Sequence, residues 1–505
     1  MPRFLGLRGH GLNRAALFGV TMPGVMLFGY NTSLLGGVLT LNNFDHQFPS
    51  IDVTDVTANP AEVQHRSTIQ GTVMALFAVG GLFGAVSCIG LGDILGRRRV
   101  IVVASVVQII GAVLMASAFD LAQLIVSRVV VGLGTGGLLA TVPTWQSEIS
   151  AADKRGAHVA ATGPFVGAGA LLALLLDFGM SFAPGSIAWR LPFAIQILLA
   201  LPAAAFVACL PESPRWLLRQ NREAEAREIL AALNDVSTDC PKVQAEIEEV
   251  QQSLRLAGQV SIGQMFHMGP QRMSHRAMLA IAVMAFIQFT GVNVITFYTN
   301  TIFESYLQLD STKSRILAVI YQIVSPIGGV LCFFTIEGFG RRRLMLASAA
   351  GNAVCLALVA GLGSQPQNTR AMHGAVVFMF IYHLTFIIGL GSVPFIYMAE
   401  IVPLSLRATI NGISIGVFWA LAFVIGEVSP IAFEAIGWRY FIIFAGLNVA
   451  IMGLVYFLFP ETAGRSLEDI DRIFTSSNTI WDSVWVEKRL TRSEQQPVKA
   501  RKENV

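Results

Sequence analysis

Apolar runs of helix length recur along the whole chain and limit what it can fold into. Twelve such runs cover 14–38, 68–91, 100–118, 121–145, 157–177, 188–210, 277–300, 314–336, 344–364, 373–398, 408–432 and 438–459. A helix that crosses a bilayer needs about 20 apolar residues, whereas a strand of a membrane barrel needs about 9–11. The runs therefore predict an all-α polytopic membrane protein with twelve transmembrane helices.

The composition agrees with a chain that lies mostly in lipid. Charged residues make up 13% of the 505 positions and hydrophobic residues 54%, and the mean hydropathy is +0.61. Soluble globular domains carry about 25% charged residues. Within a bilayer only helices or closed barrels satisfy the backbone polar groups, and these runs are too long for barrel strands.

Charged residues are distributed unevenly between the loops. Basic residues concentrate in the short loops at 92–99, 151–156, 337–343 and 401–407, whereas the long loop at 39–67 is mainly acidic. By the positive-inside rule the basic loops face the cytoplasm, which also places both termini there. The plasma membrane is the default location, because the chain ends in no retention signal.

The two halves of the chain repeat each other. Trp-Arg at 189–190 recurs at 438–439, and Pro-Glu at 211–212 recurs at 460–461, both 249 positions later (438 − 189 and 460 − 211). Such a repeat is typical of alternating-access transporters, with the solute site between the halves. The predicted units are a cytoplasmic N-terminus (1–13), a six-helix half (14–210), a cytoplasmic linker with short helices (211–275), a second six-helix half (276–460) and a disordered cytoplasmic tail (461–505).

Short motifs stand at matching places around the apolar runs. They are GDILGRRR (92–99), PTWQSEIS (143–150), WRLPFAIQ (189–196), PESPRWL (211–217), FTGVNVITFY (289–298), GFGRRR (338–343) and PETAGRSLEDID (460–471). In this order they resemble the sugar porter family of the major facilitator superfamily, in a style closest to fungal members. The resemblance covers nearly the whole chain. It implies the major facilitator fold, alternating access, and transport of hexoses or related polyols.

The basic loops and the resemblance together indicate a cytoplasmic gate. Its candidate residues are Asp93, Arg97, Arg98, Glu148, Arg155, Glu337, Arg341, Arg342, Glu400 and Arg407. We expect carboxylate–guanidinium pairs across the two halves that stabilise the outward-open state, since arginine binds carboxylates in a bidentate geometry. The alternative is that these arginines only set the membrane topology.

The resemblance also implies a solute site between the halves. A sugar site needs amide and hydroxyl groups for the sugar hydroxyls and an aromatic face for the C–H groups. Gln288 and Asn293 match sugar-binding positions of the family on the seventh helix, and Trp419 matches an aromatic residue of the eleventh. The candidate solute-binding residues are Asn31, Arg128, Thr162, Gln288, Asn293, Ser325, Phe395 and Trp419.

Several positions depart from the family pattern. Ile287 and Gly163 stand where glutamines are usual, Ser325 replaces an asparagine, and Phe395 replaces a tryptophan. Each lost partner of a buried hydroxyl costs roughly 1–3 kcal/mol. The predicted cavity is therefore less polar, which favours a less polar or larger solute as the second candidate. The alternatives are that the residue matching is off by one on some helices, or that waters fill the gaps.

Three charged or titratable residues fall within the apolar runs and are functional candidates. They are Arg128 in the fourth run, His383 in the tenth and Glu427 in the eleventh. Arg128 matches a family arginine near the polar position of the first helix. The other interpretation of His383 is a histidine hydrogen-bonded between helices, and that of Glu427 is a residue at the level of the lipid headgroups.

Asn31 bears on how transport is driven. Proton-coupled sugar porters typically have an aspartate at this position, and animal facilitative glucose carriers have an asparagine in a closely similar FGYNT stretch. Asn31 cannot bind or release a proton, and can only hydrogen-bond Arg128 or its surroundings. We therefore expect facilitated uniport. The alternatives are an asparagine that only packs helices, or proton coupling through Glu427 or His383.

Other function classes find little support in the sequence. It contains no HExxH, no serine or cysteine triad signature and no phosphate loop, so neither an enzyme nor a nucleotide-driven pump is expected. A nutrient receptor on this scaffold would need a longer tail. The five cysteines show no paired spacing, and we expect no metal and no cofactor. The expected partners are a small-molecule solute and the lipid bilayer, without nucleic acid, and the expected state is a monomer.

Overall fold

Within the residues that the structure describes, the helices group into twelve spans. The computed structural model describes residues 4, 6–53, 59–150, 162–258, 262–269, 271–306, 309–403, 406–465 and 467–489. In chain order, span 1 comprises Gly9–Ala16, Leu17–Thr21 and Met22–Val38; span 2, Pro60–Leu95; span 3, Arg97–Ala116; span 4, Leu121–Ile149; span 5, Thr162–Met180; span 6, Ile187–Cys209; span 7, Met273–Phe289, Val292–Phe297, Thr299–Thr301 and Ile302–Tyr306; span 8, Ser311–Phe339; span 9, Arg341–Gly363; span 10, Thr369–Phe386, Ile387–Gly391 and Val393–Ile401; span 11, Arg407–Ile436; and span 12, Tyr440–Leu458.

The length and apolarity of these helices fit a membrane. Within the described residues, nine helices are long and apolar enough to cross one. One of the nine, Thr409–Leu458, contains spans 11 and 12, and spans 1 and 7 are divided into shorter helices. Large apolar side chains such as Phe83 and Phe334 are exposed, at 61% and 74%, as expected of a surface that faces lipid. The predicted all-α, multi-pass membrane architecture is confirmed.

Spans 7 and 10 are interrupted near their middles. Span 7 breaks at Gly291, whose φ of +91° lies in the left-handed region that disfavours a side chain. The Phe444 ring lies against this glycine and leaves no room for a Cβ. Span 10 contains a π-helical turn at Ile387–Gly391 and restarts at Val393–Ile401, with Pro394 in the new first turn. Such breaks free backbone polar groups where a solute can reach them.

The two membrane faces of the fold differ in charge. One face carries the arginine-rich turns before spans 3 and 9 and the linker helices Pro214–Arg219, Glu223–Asn234 and Pro241–Gly258. The opposite face carries the short helix Asn42–Gln47, which includes Asp45. We call them the basic face and the acidic face.

The linker packs on the first half at the basic face. Arg8, just before span 1, donates to the Ala231 carbonyl at 3.3 Å and pairs with Asp235 at 3.5 Å. Ile229 and Leu230 are buried in the same apolar cluster as the start of span 1. The linker is thus an amphipathic helical layer that is attached to the first half.

The tail packs on the second half. Arg276, in the first turn of span 7, pairs with Asp471 of the tail helix Leu467–Thr475 at 2.6 Å. Phe474 on the same helix is fully buried. The predicted disorder of the tail is therefore wrong for this helix, because its apolar stripe has a surface to cover. The prediction is also wrong for 482–489, which are helical with Val484 buried, and its last part, at 490–505, lies outside the described residues.

Spans 1 and 5 approach each other through glycines. Gly29 lies against the Val166 carbonyl and Gly169 against the Met26 carbonyl, and a Cβ at either position would overlap that oxygen. Small residues at such contacts let two helix backbones meet closely, which is a main source of helix association in lipid.

We expect Gly169→Ala to destabilise the protein by about 1–3 kcal/mol, because the added methyl forces spans 1 and 5 apart. The measurement is the unfolding temperature of the detergent-purified protein. Gly446→Ala is the matched control, since a Cβ at this exposed position of span 12 has no neighbour within 4 Å. Equal unfolding temperatures for the two variants would contradict the close-contact argument.

Candidate functional site

An aromatic cluster lies between the two halves. Trp419 of span 11 packs against Phe28 of span 1 at 5.6 Å and Phe77 of span 2 at 5.5 Å between ring centroids. Phe418 lies 6.2 Å from Phe28 and 6.3 Å from Phe395 of span 10. Trp419 is 1% exposed and its indole N–H has no hydrogen-bond partner among the described residues. The cluster joins the halves through edge-to-face and tilted ring contacts, and the indole N–H of Trp419 remains a donor without a partner among the described residues.

Two amides stand beside this cluster on span 7. Asn293 Nδ2 donates to Gln288 Oε1 at 2.6 Å, and Gln288 Nε2 donates to the Phe418 carbonyl at 3.2 Å. The break at Gly291 brings the two amides together across five positions of sequence. Gln288 is buried and Asn293 half-buried. The amides satisfy each other here, and a solute hydroxyl can replace one of these bonds.

The remaining predicted site residues occupy other places. Phe395 is 36% exposed and joins the aromatic cluster through Phe418. Ser325 of span 8 is buried where span 5 crosses, with its hydroxyl against Gly167. Thr162 opens span 5 and is half-buried. The structure therefore groups Gln288, Asn293, Phe395 and Trp419, and places Ser325 at the contact of spans 5 and 8.

Asn31 belongs to a buried polar network inside the first half. Its Nδ2 donates to the Leu27 carbonyl at 2.8 Å and to Thr135 Oγ1 at 3.4 Å. Thr135 donates to Gln108 Oε1 at 2.8 Å, and Gln108 Nε2 donates to Gln196 Oε1 at 2.9 Å. This chain ties spans 1, 4, 3 and 6 together. Sequence reasoning missed the two glutamines, although each is a lone amide in an apolar run.

Arg128 lies apart from Asn31. Its guanidinium donates to the carbonyls of Val73 at 3.3 Å and Met74 at 3.4 Å, and lies 4.9 Å from the centroid of the Phe77 ring. Asn31 contacts span 4 at Thr135, which lies seven positions after Arg128, or about 10 Å of helix rise. Asn31 was expected to hydrogen-bond either Arg128 or its surroundings. In the structure it bonds Leu27 and Thr135, and not Arg128.

Ion pairs at the basic face repeat in the two halves. Arg97 Nε lies 3.0 Å from Glu148 Oε2, and Arg341 Nη2 lies 2.8 Å from Glu400 Oε1. Arg341 also pairs with Glu337 at 2.8 Å. Each arginine opens a helix and reaches the end of a neighbouring helix of its own half. These pairs therefore lie within a half, and the expected pairs across the halves are not among the described contacts.

The other predicted gate residues also bond within their own half. Asp93 pairs with Arg219 of the linker, Arg98 donates to the Leu210 carbonyl at 3.3 Å, Arg342 to the Tyr456 carbonyl at 2.6 Å, and Arg407 to the Val402 carbonyl at 3.2 Å. Arg155 lies outside the described residues. Each half thus carries its own charged cluster at the basic face.

Two further carboxylates organise these clusters. Glu212 accepts from the first two backbone N–H groups of span 3, at 3.1 Å each, and Glu461 accepts from those of span 9, at 2.8 and 3.1 Å. Gly96 and Gly340, both at φ +88°, turn the chain so that these N–H groups face the carboxylate. Burial raises the pKa of Glu212, and the N–H bonds oppose that shift. Sequence reasoning missed both, although the repeated Pro-Glu marked them.

Titratable side chains within the spans have mixed surroundings. Glu427 accepts from Thr72 Oγ1 at 2.8 Å, which links spans 11 and 2 across the halves. His383 is buried with its ring 4.2 Å from that of Tyr321, and the described residues offer its nitrogens no hydrogen bond, so the predicted bond between helices is not observed. Asp177 of span 5, also missed from the sequence, is 3% exposed.

Comparisons with known proteins agree with this arrangement. The model of the sugar (and other) transporter family matches residues 17–474. The sugar transporter STL1 of Saccharomyces cerevisiae is 33% identical over 471 residues, covering 92% of this chain and 82% of the relative. The MFS-type transporter oryC of Aspergillus oryzae is 32% identical over 459 residues, covering 89% and 83%.

Among solved structures, the proton:xylose symporter XylE bound to 6-bromo-6-deoxy-D-glucose matches with a TM-score of 0.75. The match has 20% sequence identity and covers 92% of this chain and 99% of the other. A partially occluded inward-open form of XylE from E. coli matches with a TM-score of 0.74 and 19% identity, covering 90% and 100%. At such identity the likeness shows the fold. With the family match and the fungal relatives, it follows that the chain belongs to the sugar transporter family of the major facilitator superfamily.

Proposed function

We propose that the protein moves a sugar or polyol across the membrane by alternating access, as a facilitated uniporter. The observation that carries this proposal is the pairing of an aromatic cluster, centred on Trp419, with the amides of Gln288 and Asn293 between the halves. Rings pack against the C–H groups of a sugar, and amides bond its hydroxyls. The names of the relatives, a sugar transporter and a xylose symporter, support the same solute class.

The ratio of aromatic rings to amide groups in the site favours a solute with fewer hydroxyls than a hexose. Five rings meet there, and only two amides stand beside them on span 7. A hydroxyl that is buried without a partner costs roughly 1–3 kcal/mol. A short polyol or a deoxy sugar fits this chemistry better than glucose. The same rings make a less polar small metabolite the second candidate.

Removal of either amide is expected to weaken uptake. Gln288→Ala or Asn293→Ala loses about one net hydrogen bond, near 1.4 kcal/mol, so the KM of uptake into proteoliposomes should rise about tenfold. Gln252→Ala, at an exposed position of the linker, is the matched amide control. Unchanged uptake in both site variants at equal protein density would place the solute elsewhere.

A thermal-shift screen of the purified protein separates the solute classes. We expect sugar alcohols and deoxy sugars to stabilise it more than glucose does at equal concentration, because bound solute stabilises the folded protein by mass action. Stabilisation by apolar metabolites alone would select the second candidate. Stabilisation by glucose equal to that of every other sugar would contradict the less polar site.

The basic face is assigned to the cytoplasm in this proposal, together with both termini, and the protein to the plasma membrane. The two arginine clusters approach each other when this face closes in the outward-open state. Glu148 and Glu400 neutralise Arg97 and Arg341 in this arrangement. Without these carboxylates, like charges would face each other and oppose closure.

Glu148→Gln and Glu400→Gln should therefore shift the protein toward the inward-open state. A loss of about 1 kcal/mol corresponds to about a fivefold change in the population ratio. The measurement is labelling of single cysteines from each side of the membrane. Glu225→Gln removes an exposed linker ion pair with Arg222 and is the control. If neither variant changes the labelling pattern, the gate assignment fails.

The neutral network around Asn31 supports the proposal of uniport. Its Nδ2 contacts and those of Thr135 move no proton, so a pH gradient alone should not drive solute into vesicles. Asn31→Asp places a carboxyl group in this buried network and should make transport depend on pH. Wild-type accumulation that collapses with a protonophore would contradict uniport, and would direct attention to Glu427 and His383.

A further inference from the structure

Asp177 is a buried carboxyl group at the acidic face. It lies in the last turn of span 5, is 3% exposed, and neither of its oxygens has a hydrogen-bond partner among the described residues. Its carboxyl group lies against Gly37 of span 1, where a Cβ would overlap it. Because Gly37 has no Cβ, the carboxyl group of Asp177 fits at the contact of spans 1 and 5.

A cation of the second half, Arg315, interacts electrostatically with Asp177. Arg315, in the first turns of span 8, donates from Nη2 to the Thr40 carbonyl at 2.6 Å and to Thr40 Oγ1 at 3.2 Å. Its charge acts on Asp177, Asp45 and Glu304, but no carboxylate among the described residues lies within 4.0 Å of it. Arg315 thus joins the second half to the end of span 1 through neutral oxygens and leaves Asp177 unpaired.

The halves are closed on each other at this face. Gly36 of span 1 lies against the Phe297 carbonyl of span 7. Thr72 and Glu427 are bonded between spans 2 and 11. Water therefore has little access to Asp177 in this conformation, and opening the face would restore it.

An ionised carboxylate without hydrogen bonds or a paired cation costs several kcal/mol in such surroundings. The neutral acid avoids that cost. We propose that Asp177 is a proton-binding site of the acidic face, loaded when the two halves close there and emptied to the same side when they part. It is a site for a proton that biases the conformational equilibrium, and the inference is consistent with the proposed uniport.

The position of the site explains why its proton is not carried across. Asp177 is fifteen positions after the first residue of span 5, Thr162, or about 22 Å of helix rise toward the acidic face. Opening at the basic face leaves this contact closed. The proton therefore returns to the acidic side in each cycle.

Two groups interact electrostatically with Asp177, namely Tyr30 of span 1 and Arg315 of span 8. Arg315 also interacts with Asp45 of the acidic-face loop and Glu304 of span 7, so these carboxyl groups share its charge. Burial raises the pKa of Asp45 to about 7, the charge of Asp52 adds to the rise and that of Arg315 opposes it. A group with a raised pKa in the closed state takes up a proton on closing. Low pH on the acidic side therefore favours closure, and the effect is lost as the pH rises through about 7 at Asp45.

The test measures closure of the acidic face against pH. Spin labels on Asn43→Cys and Gln367→Cys, in a background with the native cysteines replaced by serine, report the distance between the halves in proteoliposomes. The closed-to-open ratio of the otherwise wild-type protein should rise as the pH falls, by at most about tenfold per unit for one proton. Asp177→Asn should be more closed than the wild type at high pH and should keep only the part of the dependence, near pH 7, that Asp45 contributes. Asp310→Asn, an exposed carboxylate on the same face, is the matched control and should keep it.

Three outcomes would overturn the proposal. The first is an unchanged pH dependence in Asp177→Asn. The second is the absence, in wild-type infrared difference spectra at low and high pH, of the band of a buried protonated carboxyl group, a measurement that needs no folded variant. The third is pH-driven solute accumulation that Asp177→Asn abolishes, which would make the proton a transported one. If pH-driven solute accumulation persists in Asp177→Asn, it contradicts the proposed uniport but not the role of Asp177. That role is then decided by the spin-label distances between the halves.

Discussion

A polar group inside a bilayer has no water to bond, so it must find a partner in the protein or remain unpaired at a cost. This constraint separates the polar side chains of the spans into two kinds. Asn31 Nδ2, Thr135 and Gln108 bond one another in a row that connects helices of the first half, while Asn31 Oδ1 has no partner among the described residues. Trp419 and Asp177 keep unpaired polar atoms at contacts between helices. The bonded row supports the packing of the first half, and the unpaired atoms of Trp419 and Asp177 lie where we propose that solute and a proton bind.

The sequence repeat places the same anchor at both halves of the basic face. Glu212 and Glu461 each accept two N–H groups at a helix start, where the helix dipole favours a negative charge. Each also follows directly after a span, so it ties the linker or the tail to a charged cluster. Because the anchors hold Arg97 and Arg341 against carboxylates of their own half, each half can move as one body.

Much of the fold was predictable because helix-length apolar runs have few alternatives in lipid. The break at Gly291 was not predictable, because glycine is also frequent within unbroken membrane helices. Only the Phe444 contact and the positive φ identify this glycine as the site of a break. Gln288 and Asn293 were found through family resemblance, but their mutual bond depends on that break. Asp177 was missed because it ends an apolar run, where a carboxylate ordinarily meets water. Its burial arises from the neighbouring span and is not encoded locally.

In the proposed mechanism, Asn31 and Asp177 together let one chain respond to pH without transport being driven by a proton gradient. A titratable group that moves a proton across the membrane must exchange with both sides in one cycle. Asn31 lies within the first half, where Leu27 and Thr135 accept hydrogen bonds from its neutral amide group. Asp177 lies at the acidic face, beside Gly37 and on the same side as Arg315. In the proposed mechanism, with the interior position neutral and the titratable one confined to a single face, a pH difference changes how often the acidic face opens, while the solute gradient sets the direction of net transport.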